Sequence, residues 1–171
     1  MKIIKPVSQQ EVFEHWVIVE NLNSISDRDD IITPLLQYQV SWYAAVIEKQ
    51  DLDKIFNISS DDWRVDGLCT PNFKLATAAM NVDPNKINID PDSAEKHQNI
   101  LEKESLFSNQ PGFLDTRLFL VAPNIAGPFT LIEGNKRAVA LCRLEQLEQK
   151  EVYLGLSASF INYKWATQSR L

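Results

Sequence analysis

The chain has 171 residues, of which 44% are hydrophobic and 23% charged, and this fits one globular domain with a full hydrophobic core. Its net charge of −6 argues against DNA binding, because broad contact with a phosphate backbone needs a clustered basic face. No stretch approaches the roughly 20 apolar residues that cross a membrane, and the start of the chain lacks the apolar core of a signal peptide. We therefore expect a cytoplasmic protein without membrane contact.

Two helix starts are visible in the first third of the chain. Residues 8–11 form a capping-box pattern that begins at Ser8, and apolar residues with helical spacing follow it. Thr33 and Pro34 are an N-cap followed by proline at the first helical position. The next apolar residues recur at i, i+3, i+7 and i+11 and are Leu35, Tyr38, Trp42 and Val46. This spacing predicts the strongest helix of the chain.

Two further helices are predicted before residue 108. Thr70 and Pro71 repeat the pattern of N-cap and proline ahead of residues 73–80, and another helix is expected from about Ser93 to Ser105. Residues 82–91 are rich in Asn, Asp and Pro and predict a loop, and residues 109–112 predict a turn. Residues 1–107 are therefore expected to be mainly helical.

The last third of the chain predicts a sheet. Apolar runs at 118–121, 129–133 and 152–156 are typical of buried strands, and the Ala- and Leu-rich segment from Lys136 to about Glu148 predicts a helix between the last two. We expect a single α+β domain over residues 1–171. In it, the helical part packs on a small mixed sheet formed by residues 108–171, with a strand, glycine turn, helix and strand in succession. A crossover of this length puts the end of the second strand where ligands of α/β sheets bind.

The segment between that strand and that helix contains the candidate ligand-binding residues. Gly134 and Asn135 form the turn, so Lys136 and Arg137 fall in the first helical turn, beside unpaired N–H groups and the positive end of the helix dipole. Two cations at that position favour a bound anion, and phosphate is the usual occupant. The alternative is that Gly134 only supplies a left-handed turn, Asn135 only caps the helix, and the two cations point into solvent.

Residues 132–141, with the sequence Ile-Glu-Gly-Asn-Lys-Arg-Ala-Val-Ala-Leu, resemble an element of the ParB/sulfiredoxin superfamily, (D/E)G-x-(H/R/K)-R-x-x-A. Members of that superfamily include partition proteins that bind CTP, reductases that use ATP, and small-molecule kinases. Sulfiredoxins carry a reactive cysteine where this chain has Asn135, so their redox chemistry is excluded. Partition proteins have a separate helix-turn-helix region, for which this chain leaves no room.

The resemblance implies that Arg137 and Lys136 bind phosphate oxygens, with Gly134 and the N–H groups of Asn135 and Lys136 completing the site. The implied ligand is a nucleotide, ATP or CTP with Mg²⁺, or another phosphorylated small molecule. The implied activities are phosphoryl transfer and nucleotide hydrolysis. Glu133 either holds Mg²⁺ or acts as a general base, or it only pairs with Arg137.

Two other hypotheses about the function stay open. One is a non-enzymatic interaction protein, such as an adaptor or inhibitor, which retains the fold and binds a protein partner through its acidic surface. The other, weaker reading is a nuclease, which is suggested only by names attached to the superfamily. No carboxylate–metal cluster in the sequence supports it.

The remaining candidate residues predict structural roles. Cys69 and Cys142 lie too far apart in the sequence for a metal pair or a redox Cys-x-x-Cys motif, so we expect packed thiols and no disulfide. His15 and His97 have no second ligand at metal-binding spacing and are expected at the surface or as caps. No metal site is therefore assigned.

The tryptophans and the acidic runs complete the list of candidates. Trp16 and Trp42 are expected in the core, whereas Trp63 and Trp165 lie in less regular segments and are candidates to line a pocket. Residues 83–90 lack the glycine and terminal glutamate of a calcium loop, and three acidic runs predict solvated turns: residues 27–30, 61–62 and 90–92.

Overall fold

The computed structural model of the protein describes residues 1–69, 72–85, 91–109 and 117–166, and within these residues a six-stranded mixed sheet is surrounded by helices. The strands are β1 (Lys2–Val7), β2 (Ser41–Val46), β3 (Ile55–Phe56), β4 (Leu118–Ala122), β5 (Phe129–Glu133) and β6 (Glu151–Leu156). The helices are α1 (Gln9–Val19), α2 (Asp29–Leu36), α3 (Asp61–Val65), α4 (Leu75–Asn81), α5 (Pro91–Asn109) and α6 (Asn135–Arg143). This architecture confirms the α+β class.

The strand order is β1-β2-β6-β4-β5-β3. Strand β4 runs parallel to β6 and antiparallel to β5, and the short β3 runs parallel to β5. All five residues of β4 are buried, as expected for a central strand covered on both faces. Trp16 of α1 stacks on Phe119 of β4 at 5.0 Å between ring centroids, and α6 packs against α4 and α5.

The predicted succession of strand, glycine turn, helix and strand is present as β5, Gly134, α6 and β6. The helix ends at Arg143 and is shorter than expected. Strands β5 and β6 are separated by β4, and they run in opposite directions because β4 is parallel to one and antiparallel to the other. The unit is therefore not a parallel crossover.

The prediction of a helix from Thr33 to Val46 was wrong. Helix α2 begins at Asp29 and ends at Leu36, and Ser41–Val46 forms β2, which pairs with β1 on one side and β6 on the other. These pairings satisfy the backbone of a segment rich in strand-forming residues and so override its helical spacing. Pro34 lies inside the last turn of α2, where it cannot donate to the carbonyl of Asp30. That carbonyl instead accepts a 2.9 Å hydrogen bond from Trp165 Nε1.

Three of the six strands come from the part of the chain that is predicted to be mainly helical. Strand β1 has no buried residue, so its sequence lacks the alternation that indicates a half-buried strand. It is an edge strand, which explains why it tolerates Pro6. The two residues of β3 are too few for any periodic signal.

Other predicted elements are confirmed. Ser8 caps α1 by accepting a 3.0 Å hydrogen bond from the N–H of Glu11, and α4 and α5 occupy the predicted segments, with α5 longer at both ends. Strands β4, β5 and β6 match the three apolar runs. The predicted helix start at residues 70–71, the loop centre at 86–90 and most of the turn at 109–112 lie outside the described residues. In the described part of the chain, no helix combines the length and apolar character needed to cross a membrane.

Candidate functional site

Gly134 forms the turn between β5 and α6. Its φ of +82° is in the left-handed region, which a glycine adopts without steric cost. A Cβ atom at this position would lie 2.8 Å from Leu118 Cδ2 and 2.9 Å from Arg137 Nη2. Glycine is therefore required here both by the backbone and by the close approach of the Arg137 guanidinium.

Helix α6 begins at Asn135, and its first intrahelical hydrogen bond runs from the N–H of Ala138 to the carbonyl of Gly134 at 2.8 Å. The N–H groups of Asn135, Lys136 and Arg137 therefore have no partner within the helix. These groups and the helix dipole give the start of α6 the positive potential that the sequence predicts.

Asn135 does not cap the helix, because Gly134 occupies the N-cap position. The side chain is buried, and its Oδ1 accepts a 3.0 Å hydrogen bond from the backbone N–H of Ile58. This contact ties the start of α6 to the segment that follows β3, so Asn135 fixes the position of the turn. Its side-chain oxygen is consequently not directed at the N–H groups of its own helix.

Arg137 does not point into solvent. It is 8% exposed, and its Nη2 lies 2.7 Å from Oε1 of Glu20, the residue that follows α1. Among the described residues, its buried Nε has no hydrogen-bond partner. The guanidinium lies over Gly134, so the turn, the arginine and Glu20 form one packed unit.

Glu133 pairs with Arg28, and the expected alternative of a pair with Arg137 was wrong. Its Oε1 accepts a 2.7 Å hydrogen bond from the N–H of Gly134, and its Oε2 lies 3.2 Å from Arg28 Nε. Burial and the nearby carboxylate of Glu20 raise the pKa of Glu133, although these two partners and Arg137 oppose the rise. Both oxygens are therefore occupied by groups of the protein itself.

A pocket of about 540 Å³ opens at this junction. Its lining includes Glu133, Gly134, Asn135, Lys136 and Arg137, so every residue of the predicted site borders the same space. Trp63 and Trp165 also line it, which confirms them as pocket residues. Trp16 and Trp42 are buried in the core, as predicted.

The sequence did not predict five charged residues of the pocket: Glu20, Arg28, Asp30, Asp62 and Lys103. Glu20 follows α1, and Lys103 belongs to α5, where it has no distinguishing neighbour. Arg28 lies in the acidic run at 27–30, which predicts a solvated turn. The prediction of a turn was wrong there and at 61–62, because Ile25–Arg28 form a 3-10 helix, Asp29 begins α2 and Asp61 begins α3. No local pattern distinguishes these side chains from other surface charges.

His97 is not a surface residue. It is fully buried, its Nδ1 accepts a 3.1 Å hydrogen bond from the N–H of Asp83, and its Nε2 lies 3.3 Å from the carbonyl oxygen of Asp66. The imidazole therefore joins the segments after α3 and α4, which is a structural role. Among the described residues, no three His, Cys, Asp or Glu side chains converge as a metal site.

The two cysteines are free thiols, with Cys69 buried and Cys142 half-buried. Burial raises the pKa of both thiols. This fits the predicted packing roles.

Comparison of the chain with family models, curated proteins and solved structures finds no match.

Proposed function

We propose that the pocket at the start of α6 binds a nucleotide or another phosphorylated small molecule, with its phosphate at Lys136, Arg137 and the first N–H groups of the helix. The observation that carries this proposal is that residues 133–137 all line one pocket. A second support is Arg137, a nine-tenths buried cation whose Nε has no hydrogen-bond partner among the described residues. The resemblance to the ParB/sulfiredoxin element adds the expectation of ATP or CTP.

The dimensions and lining of the pocket fit such a ligand. Its volume of about 540 Å³ lies within the roughly 300–1,000 Å³ of typical small-molecule sites. The half-buried Trp165 borders the same space as the cationic residues, and an aromatic side chain suits the flat base of a nucleotide. A ligand with a phosphate group and an aromatic ring would therefore use both kinds of surface.

The proposed function is binding, with phosphoryl transfer or hydrolysis as a separate property of the same complex. Both oxygens of Glu133 are held, one by the N–H of Gly134 and one by Arg28. Mg²⁺ coordination or proton transfer at Glu133 would take place beside the positive charge of Arg28. The geometry thus favours Glu133 as the residue that fixes the turn and Arg28, and a phosphate-release assay tests turnover directly.

Thermal unfolding with a panel of nucleotides, pyrophosphate and inorganic phosphate, each with and without Mg²⁺, tests the proposal. A ligand at about 100 times its dissociation constant stabilises the folded state by roughly 2.7 kcal/mol. Arg137→Lys, which keeps the charge beside Glu20 but loses the planar fork, should reduce this gain, and Lys136→Gln should reduce it without breaking an ion pair. If no compound stabilises the wild-type protein, this result would contradict the proposal and favour the alternative hypothesis of a non-enzymatic interaction protein.

A further inference from the structure

Lys103 is a fourth cation of the same pocket, beside Arg28, Lys136 and Arg137, and comes from a different element. It lies on α5, it is half-buried, and it lines the pocket together with Lys136 and Arg137. Helix α5 packs against α6, which explains why a residue far from the motif in sequence faces it in space. The lysines of the pocket therefore come from two helices, and Arg28 comes from the segment before α2.

The ion pairs of the pocket leave two of its cations without a carboxylate. Arg137 is paired with Glu20 and Arg28 with Glu133, whereas neither Lys103 nor Lys136 forms an ion pair with any described residue. Two other acidic residues also line the pocket. Asp62 lies 2.7 Å from Lys96 Nζ, which also contacts Asp66, and Asp30 is an exposed side chain.

The two unpaired lysines lie close enough to affect each other. Burial lowers the pKa of Lys103, and the charges of Arg137 and Lys136 lower it further, while Glu20 and Glu102 act in the opposite direction. Like charges in a partly desolvated pocket repel, and a bound anion removes that repulsion. Two lysines that form no ion pair offer two ammonium groups to a ligand group that carries two negative charges.

We propose that Lys103 and Lys136 together bind a terminal phosphate group as a dianion, so that the pocket selects phosphate monoesters and pyrophosphates over phosphate diesters. This inference rests on the proposed function and specifies its ligand class. A terminal phosphate carries about −1.5 to −2 charge at neutral pH, whereas a diester carries a single charge. Lysine suits this task because its flexible ammonium binds phosphate as a point charge without a fixed geometry.

A matched pair of small ligands shows how the charge of the phosphate group affects binding affinity. Methyl phosphate and dimethyl phosphate differ by one methyl group and by one ionisable oxygen, and pyrophosphate extends the series. Calorimetric titration near pH 8 should show that wild type binds methyl phosphate about tenfold more tightly than dimethyl phosphate, a difference typical of one charge-assisted hydrogen bond. Equal affinity of wild type for the two esters would overturn the proposal.

Variants of Lys103 assign the preference to this residue. Lys103→Met should bring the two affinities within about twofold of each other, while Lys103→Arg should preserve the preference. Because Lys103 has no described ion-pair partner, Lys103→Met should unfold at the same temperature as wild type or higher. Lys49→Met, at an exposed position outside the pocket lining, changes the net charge equally and should leave the preference intact.

The outcomes separate this inference from the proposed function. If Lys103→Met retains the preference for methyl phosphate, Lys103 is not the selecting residue and the inference fails while binding stands. If pyrophosphate binds wild type and Lys103→Met equally, the result is the same. If none of the three compounds and no nucleotide binds wild type, the proposed function fails together with this inference.

Discussion

Glu20 Oε1 lies 2.7 Å from Arg137 Nη2, so a carboxylate from the end of α1 holds the arginine of the β5–α6 junction. The Glu20 side chain is 22% exposed and the Arg137 side chain 10%, which makes this a partly desolvated pair. An anionic ligand that contacts this guanidinium must share it with Glu20 or displace Glu20 from it. Affinity for phosphate should therefore depend on the charge of Glu20.

The first prediction concerns Glu20→Gln. The variant should bind pyrophosphate more tightly than wild type, because a neutral amide competes less for Arg137. The unliganded protein should be less stable by about 1–3 kcal/mol, since a charge-assisted contact to a buried cation is weakened. Isothermal titration and urea unfolding measure the two effects.

Glu14→Gln is the matched control for this experiment, because Glu14 lies on the same helix, is exposed and does not line the pocket. It should change neither quantity by more than a few tenths of a kcal/mol. Weaker pyrophosphate binding in Glu20→Gln would show that Glu20 positions Arg137 for the ligand and does not compete with it.

The second prediction concerns Gly134→Ala. The added Cβ would meet Leu118 Cδ2 at 2.8 Å and Arg137 Nη2 at 2.9 Å, and the φ of +82° is itself unfavourable for alanine. We expect a loss of about 2 kcal/mol or more in the free energy of unfolding and the loss of phosphate binding. Urea unfolding and titration with pyrophosphate provide the measurements.

Gly67→Ala is the control that distinguishes backbone strain from an effect on ligand binding, because Gly67 has a φ of +75° and does not line the pocket. This variant should lose stability by about 1–2 kcal/mol and keep pyrophosphate binding. If both variants retained binding equally, the close approach at Gly134 would have no role in the site.

The third prediction is a pH dependence caused by Glu133. Its pKa is raised in the fold, chiefly by burial, so the folded protein binds this proton more tightly than the unfolded chain does. The contribution of Glu133 to stability is therefore greatest at low pH and falls as pH rises from about 4 through the raised pKa.

Glu133→Gln cannot ionise and lacks this contribution. The free energy of unfolding of the variant, relative to wild type, should increase over that pH range and then level off. Chemical unfolding of both proteins across the range measures the difference. A relative stability that falls with pH would show that Arg28 and the N–H of Gly134 outweigh the effect of burial.

The fourth prediction concerns the two thiols. Burial raises the pKa of Cys69 to about 12 and also raises that of Cys142, so little thiolate forms near neutral pH. A thiol-specific disulfide reagent at pH 8 should label neither cysteine in the native protein and both after denaturation. Reducing agent should leave the melting temperature unchanged, because both thiols are free. A lower melting temperature on reduction would contradict this.

The sequence determined the elements whose signals are local. Strands β4, β5 and β6 are short apolar runs because they are buried in the middle of the sheet, and such runs are visible without any knowledge of the fold. The cap at Ser8 and the glycine turn at Gly134 depend on neighbouring residues alone. For the same reason the five residues 133–137 could be predicted to lie together at a helix start.

Tertiary structure decided everything that depends on distant partners. Segment Ser41–Val46 has a helical spacing of apolar residues and becomes a strand because β1 and β6 offer hydrogen bonds on both sides. Glu20 and Lys103 reach the pocket only because the end of α1 and the second half of α5 lie near the start of α6. The path of the chain therefore determines which carboxylate pairs with Arg137, because the sequence around a charged residue does not indicate its partner in the fold.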